Sequence, residues 1–352
     1  MSDKTHLQMQ KERILWVDYA KLIGIYLVIL GHLNLRSDSV NAFINSFHMQ
    51  LFFLLAGVCF KKEGVVTVLR KNARGLLIPY TSFQLLCYPY WLCKSYFQNH
   101  IPLTINNYFA KPVLGFFYGV VHDTQYSYMV IGACWFLLAL FFIKVFASLV
   151  LKLPGYLQLL SCIISVVSGI LLKTQGIMLP FSLNVSLLCL PLFLSGFYLK
   201  DWMDTALKRL SLKSKLLVIA ILACGLYTLA NMNGMFHVCD GVWGKTIYLY
   251  YINAVMGGGI IILLASLVKT ANTFFLFLSR NTMIIMVFEI YAYAPFKLII
   301  QRLLNVSEGQ QDYMPFLLGL IVAAASLLVS SIPCFVINHY FPFLIGKKKS
   351  TE

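Results

Sequence analysis

Acidic residues are scarce in this sequence. Asp and Glu together number 13 in 352 residues, against 28 Lys and Arg, and charged residues make up only 12% of the chain. A soluble domain carries about a quarter charged residues, so a water-facing surface over most of the length is excluded. Cysteine is present but unpatterned. None of Cys59, Cys87, Cys93, Cys134, Cys162, Cys189, Cys224, Cys239 and Cys334 forms a Cys-x-x-Cys pair, and nearly all lie within or at the ends of apolar runs. They read as small buried hydrophobes, with no disulfide frame and no metal site implied. The basic start MSDKTHLQMQKER lacks a following small-residue cleavage site, so the first apolar run reads as a retained span. No internal repeat is apparent, which weighs against an inverted-repeat transporter.

What the chain does have is apolar length. It is 59% hydrophobic with a mean hydropathy of +0.77. The fold class expected is an all-α, polytopic membrane bundle. About ten spans can be drawn, at 15–35, 42–60, 76–97, 129–151, 155–173, 179–199, 214–232, 245–268, 280–303 and 314–345. The last is long enough to bend, and Pro333 is the expected place. A tail of 1–14 precedes the transmembrane domain of 15–345, and a basic tail of 346–352 follows it. The net charge of +15 sits mostly in short loops, which points to orientation in a membrane rather than to nucleic acid. Lys4, Lys11 and Arg13, then Lys61, Lys62, Arg70, Lys71 and Arg74, and finally Lys347, Lys348 and Lys349 fall on one side if the spans number ten. Both termini are therefore expected in the cytoplasm, with the protein in the cell's inner membrane. The long connection 98–128 holds the apolar piece PVLGFFYGVV, too short to span, among many aromatics including Tyr108, Tyr126 and Tyr128. An interfacial belt is the plainer reading of these rings, a sugar-stacking platform the sharper one.

Few polar residues interrupt the apolar runs, and those few are the functional candidates. Asp18, Lys21, Ile25, Val28 and His32 follow steps of three and four and line one helical face. Lys21 and His32 lie about 16 Å apart along that face by helical rise. Lys21 also reads as a side chain snorkelling to the interface, and Asp18 as a cap on the positive helix end or a partner for Lys21. His48 opens the second span. Glu289 is the lone acid of the ninth, and an ionisable group at membrane depth is either functional or hydrogen-bonded within the bundle. Arg70 and Arg74, four apart beside Lys71, make a fork suited to phosphate; ordinary positive-inside anchoring or contact with anionic lipid is the alternative. A phosphate site at one end and a histidine at the other suit a nucleotide-tailed acyl donor such as acetyl-CoA. His32 would then act as general base, or carry the acyl group itself.

The stretches DYAKLIGIYLVILGH, SFHMQLFFLLAGVCFKK, RKNARGLLIPY and WFLLALF occur in order. Together they resemble the integral-membrane acyltransferase 3 family, and within it the fucose 4-O-acetylase-like and surface-polysaccharide O-acetyltransferase branch. That resemblance implies a bundle of about ten spans moving an acetyl or similar group from cytoplasmic acyl-CoA to a hydroxyl of a cell-surface glycan or lipid-linked sugar. It places the family's basic residue and histidine on Lys21 and His32, its arginine pair on Arg70 and Arg74, its second histidine on His48 and its WFL motif on Trp135. Lys21 stands where Arg is usual, which keeps charge and loses the planar fork; Gln50 stands where Pro is more usual. Late in the chain Asn281 matches, while Glu289 occupies the place of an expected histidine and offers an alternative polar partner.

Three classes of function are open on the sequence. One is an acyl-CoA-dependent O-acyltransferase with a glycan acceptor and surrounding lipid as partners. Another is a transporter or flippase for a glycan or small anion, lined by the same polar residues. The third is a non-catalytic membrane partner of a polysaccharide machine.

Overall fold

The computed structural model describes residues 14–121, 129–234, 236–303 and 314–347. The first thirteen residues of the N-terminal tail, Tyr126, Tyr128, and the basic tail from Lys348 onward lie outside the described residues.

The apolar runs become helices because a chain in lipid must satisfy its backbone internally. Helix α1 covers Leu15–His32, followed by α2, Asp38–Asn45, and α3, His48–Val58. Next come α4, Val65–Asn72, and α5, Ile78–Cys93, joined by a π-helical turn at Ala73–Leu77. The short α6, Lys111–Tyr118, precedes α7, Trp135–Val150, and α8, Gly155–Thr174. The long α9, Leu183–Arg209, leads to α10, Leu212–Asn233, and α11, Ile247–Ala265. The series ends with α12, Thr273–Arg280, α13, Thr282–Leu303, α14, Phe316–Val329, and α15, Ser331–Tyr340.

Among the described residues, nine helical stretches are long and apolar enough to cross a membrane, with α2–α3 and α14–α15 each counted as one. The all-α multi-pass architecture is therefore as expected, and the shortfall from ten falls on 76–97. That segment is helical, but α5 has only 16 residues, and it carries Gln84 and an internal Pro89. Pro333 behaves as expected: it has no N–H for the carbonyl four residues back, and the helix interrupts at Ser330. The apolar piece after residue 111 forms α6, which ends on Gly119 at φ +66°. Its Tyr108 neighbour is turned inward, donating its hydroxyl to the Ile101 carbonyl at 2.9 Å, whereas Phe109 and Phe117 are exposed. Cysteine differs in part from expectation. Cys87, Cys134, Cys189 and Cys334 are buried, but Cys59, Cys93 and Cys224 are exposed, because in a membrane bundle an apolar run also supplies an outward face.

The chain divides into two compact units: Met1–Phe52 with Asp201–Met232 and Ile252–Ser331, and Phe53–Lys200 with Asn233–Tyr251 and Ile332–Glu352. In the first unit α1 packs against α12, α13 and α14. Tyrosines fasten it there: Tyr19 donates to the Thr270 carbonyl and accepts from the Asn272 N–H, both at 3.1 Å, and Tyr26 donates to the Leu320 carbonyl at 3.0 Å. Beyond α1, the chain at Asn34–Arg36 exchanges backbone hydrogen bonds of 2.9 Å with Met314.

In the second unit, α3 and α9 cross with their backbones in contact. A Cβ on Gly57 would stand 1.8 Å from the Phe193 carbonyl oxygen, and one on Gly196 would stand 2.1 Å from that of Leu54. Only glycine permits this approach, which is how membrane helices gain packing where no hydrophobic drive joins them. Gly57→Ala and Gly196→Ala should each destabilise the protein by about 1–3 kcal/mol, read as a lowered unfolding temperature in detergent. Gly64→Ala, with nothing within 4 Å of its Cβ, should change it by less than about 0.5 kcal/mol.

Candidate active site

The first unit holds both candidate histidines, His32 and His48. His32 is the last residue of α1, and its Nδ1 is hydrogen-bonded to Oε1 of Glu289 on α13. Glu289 is buried at 3% exposure, while the His32 side chain is 46% exposed. The imidazole is thus half-exposed and held on one side by a buried carboxylate. The helix simply ends there, and Leu33 takes the C-cap position. When Glu289 is ionised it can only accept, so Nδ1 donates to it, and in the neutral ring Nε2 then keeps its lone pair. A ring fixed through one nitrogen and basic at the other is the arrangement of a general base.

His48 reaches the same neighbourhood through a break in its helix. The sequence suggests one continuous span; instead α2 ends at Asn45, Ser46 and Phe47 form a turn, and α3 begins on His48. Side chains take the carbonyls that the break frees. Ser46 donates to the Phe43 oxygen at 2.8 Å, His48 Nδ1 to Ile44 at 3.0 Å, and Gln50 Nε2 to Ser46 at 3.0 Å. Short polar side chains compete with the helix for backbone groups, and Asn45-Ser46 supplies the local cause. A broken helix at membrane depth is tolerated where it is enclosed by protein or lines a polar cavity. His48 lies close to α1: a Cβ on Gly31 would come within 3.9 Å of its Cε1 and 3.0 Å of Asn45 Oδ1.

Asp18 and Asn281 also belong to this unit. Asp18 is buried, but it does not cap α1. The cap position is Ile14 and the helix begins at Leu15, so Asp18 lies a full turn in, where its charge still faces the positive helix end. Lys21, one turn further on, is half-buried. Asn281 joins α12 to α13, with its Nδ2 donating to the Phe277 carbonyl at 2.8 Å.

The second unit holds the remaining candidates. Arg70, Lys71 and Arg74 are all exposed. Arg70 lies in the last turn of α4, and Arg74 lies inside the π turn Ala73–Leu77 that follows it. Arg74 Nε donates to the Gly346 carbonyl at 2.7 Å, while Lys71 is paired with Glu63 at 2.6 Å. Sequence reasoning passed over two neighbours here, Glu63 and Lys144. Lys144 donates to Asn72 Oδ1 at 3.1 Å, and a lysine in the apolar run WFLLALFFIKVF was its one visible signal. Trp135 opens α7 and is buried against Phe53 and Phe136, with ring centroids 6.3 and 5.9 Å away. Its contacts here are those of a packing residue.

Neither the curated proteins nor the solved structures contain a match to this chain. A family model described as an acyltransferase domain does match, over residues 14–334. That span takes in the His32–Glu289 pair, the broken second span and the arginine segment together. A membrane acyltransferase thereby displaces the transporter and the non-catalytic partner as the reading of these residues, and the chain belongs to the acyltransferase 3 family of integral-membrane enzymes.

Proposed function

We propose that this enzyme moves an acetyl or similar acyl group from cytoplasmic acyl-CoA to a hydroxyl of a cell-surface glycan or lipid-linked sugar, with His32 as general base. The observation that carries the proposal is the hydrogen bond between His32 Nδ1 and the buried Glu289. The acceptor O–H gives its proton to Nε2 as its oxygen attacks the thioester carbonyl. The tetrahedral intermediate then collapses, the C–S bond breaks, and the same nitrogen returns the proton to the departing thiolate. Glu289 orients the ring and stabilises the imidazolium between the two transfers, the role of the third member in a hydrolase triad. His48, whose Nδ1 is occupied by Ile44, helps to position the acceptor.

Arg70 and Arg74 are proposed to receive the donor's phosphates, with Lys71 as an added charge when it leaves Glu63. Lys21 assists on α1, between the helix start and His32. The fucose 4-O-acetylase-like branch, a bacterial inner membrane and cytoplasmic termini complete the proposal. They rest on the ordered motifs and on the distribution of Lys and Arg among the loops.

Purified protein mixed with labelled acetyl-CoA and acceptor sugars tests the chemistry directly. His32→Ala should lower transfer by about 10²–10⁴-fold. Glu289→Gln, which keeps shape and loses charge, should lower kcat by at least about 10-fold with little change in the KM for acetyl-CoA. Full activity in His32→Ala would remove the base from this mechanism. Arg70→Ala and Arg74→Ala should each weaken acetyl-CoA binding by about 10-fold, the worth of one charge-assisted hydrogen bond, measured by calorimetric titration; unchanged affinity would rule out the phosphate fork. Lys21→Arg should keep activity and Lys21→Met should lose most of it, and equal rates would place Lys21 outside the site.

A further inference from the structure

Among the described residues, buried amides differ in how far they are engaged, and in the first unit Asn281 donates to the Phe277 carbonyl at 2.8 Å. In the second unit they are fully engaged. Gln84 bonds both the N–H and the carbonyl of Ile131, at 3.1 and 3.0 Å. Asn184 accepts from Leu179 and donates to Ile177, each at 2.8 Å. Asn233 donates to the Trp243 carbonyl at 2.7 Å and accepts from the Thr246 N–H at 2.8 Å. Each of these staples a loop. In the first unit, Asn253 on α11 is 0% exposed, yet neither its Nδ2 nor its Oδ1 has a hydrogen-bond partner among the described residues. Gln50, at 1% exposure, leaves its Oε1 unpartnered, and Glu289 leaves its Oε2 so.

These three groups sit on the elements that carry the histidines. Gln50 lies in the first turn of α3, which His48 opens, and Glu289 holds His32. Asn253 stands one turn before Gly257 on the buried face of α11. The Cβ position of Gly257 lies 2.0 Å from Cγ of Phe47, the residue before His48. Buried polar groups without partners are rare and costly, more so in a bundle that sits in lipid. A structural amide would have been engaged, as the other three are.

Counting donors and acceptors identifies the guest. Gln50 Oε1, Asn253 Oδ1 and Glu289 Oε2 all accept, and the Asn253 amide alone donates. A thioester and an acyl chain bring no donor, and the arm of an acyl-CoA brings two amide N–H groups and one hydroxyl spaced along a thin chain, whereas a sugar ring brings a donor and an acceptor at each of several adjacent carbons. We propose that Asn253, with Gln50 and the second oxygen of Glu289, binds the hydroxyls of a saccharide-like polyol beside His32. Asn253 is thereby a residue that selects the acceptor. The identification of that polyol as the acyl acceptor rests on the transferase reading; the polyol site itself does not.

The test measures the unfolding temperature of the full chain in lipid nanodiscs, with and without methyl glycosides of glucose, fucose and rhamnose. Tetrahydropyran serves as the hydroxyl-free control. Wild type should be stabilised by at least one glycoside and not by tetrahydropyran. Asn253→Leu, which removes polar atoms that nothing in the protein satisfies, should unfold at the same or a higher temperature alone and gain nothing from the glycoside. An engaged structural amide would give the opposite result, a lower unfolding temperature with the glycoside shift intact, and that overturns the proposal. So does a wild type unmoved by every glycoside. If Asn253→Leu does not fold, Gln50→Met is read by the glycoside shift alone, because it also removes the bond to the Ser46 carbonyl: a lost shift supports the site and an intact shift overturns it. Acyl transfer measured on the same preparations separates the two ideas. Stabilisation lost in Asn253→Leu from a wild type that transfers nothing leaves the site standing and sinks the transferase. Transfer by wild type with an unchanged acceptor KM in Asn253→Leu does the reverse.

Discussion

A carboxylate enclosed by apolar helices must find a hydrogen-bond donor, and much of the first unit follows from where Glu289 finds one. Its partner is His32, at the end of α1, so α1 and α13 must lie side by side in fixed register. The tyrosines arrange this. Tyr19 and Tyr26 tie two turns of α1 to backbone carbonyls at Thr270 and Leu320, and the chain just beyond His32 is bonded to Met314. The imidazole is held by Glu289 and is half-exposed, while the helix that carries it is tied down at Tyr19, at Tyr26 and by the chain just beyond it. A base needs that combination: restraint at one nitrogen and access at the other.

The second constraint is the break at Ser46–Phe47. A continuous helix would use the carbonyls of Phe43, Ile44 and Ser46 internally. Interrupting it hands them to Ser46, His48 and Gln50, which turns those side chains inward and fixes the His48 ring. The interruption is also what lets Gln50 spend only its amide nitrogen on structure. A polar site inside a bundle is built here by withdrawing one turn of backbone from the helix, with side chains restoring the lost bonds.

The architecture was legible in the sequence because apolar length is a direct physical requirement, and among the described residues nine of the ten expected spans correspond to helical stretches that meet it. His32, His48 and Glu289 stood out for the same reason, as polar exceptions in apolar runs. Their grouping did not. The pairing of His32 with Glu289 spans 257 residues, and no local periodicity encodes it. At the arginines the local geometry was not legible, because the π turn at Ala73–Leu77 has no sequence signal comparable to a proline. Asp18 reads from the sequence as a cap or as a partner for Lys21; the helix begins a turn earlier, at Leu15, with no side-chain cap at Ile14.

Asn253 shows the limit of the sequence and the use of the structure most plainly. In IYLYYINAVMGGG it is one amide among apolar and small residues, no different in kind from Asn184 or Asn233 in theirs. Only the coordinates separate them, because those two close loops and Asn253 closes nothing. An enzyme gains by leaving such a group unsatisfied in its resting state: a site whose polar atoms are already paired within the protein has none to offer a substrate. The same logic distinguishes Glu289 from an ordinary buried acid. One oxygen is bonded to His32 and the other has no partner among the described residues, so in the mechanism proposed above a single carboxylate would serve both the ring and the molecule presented to it.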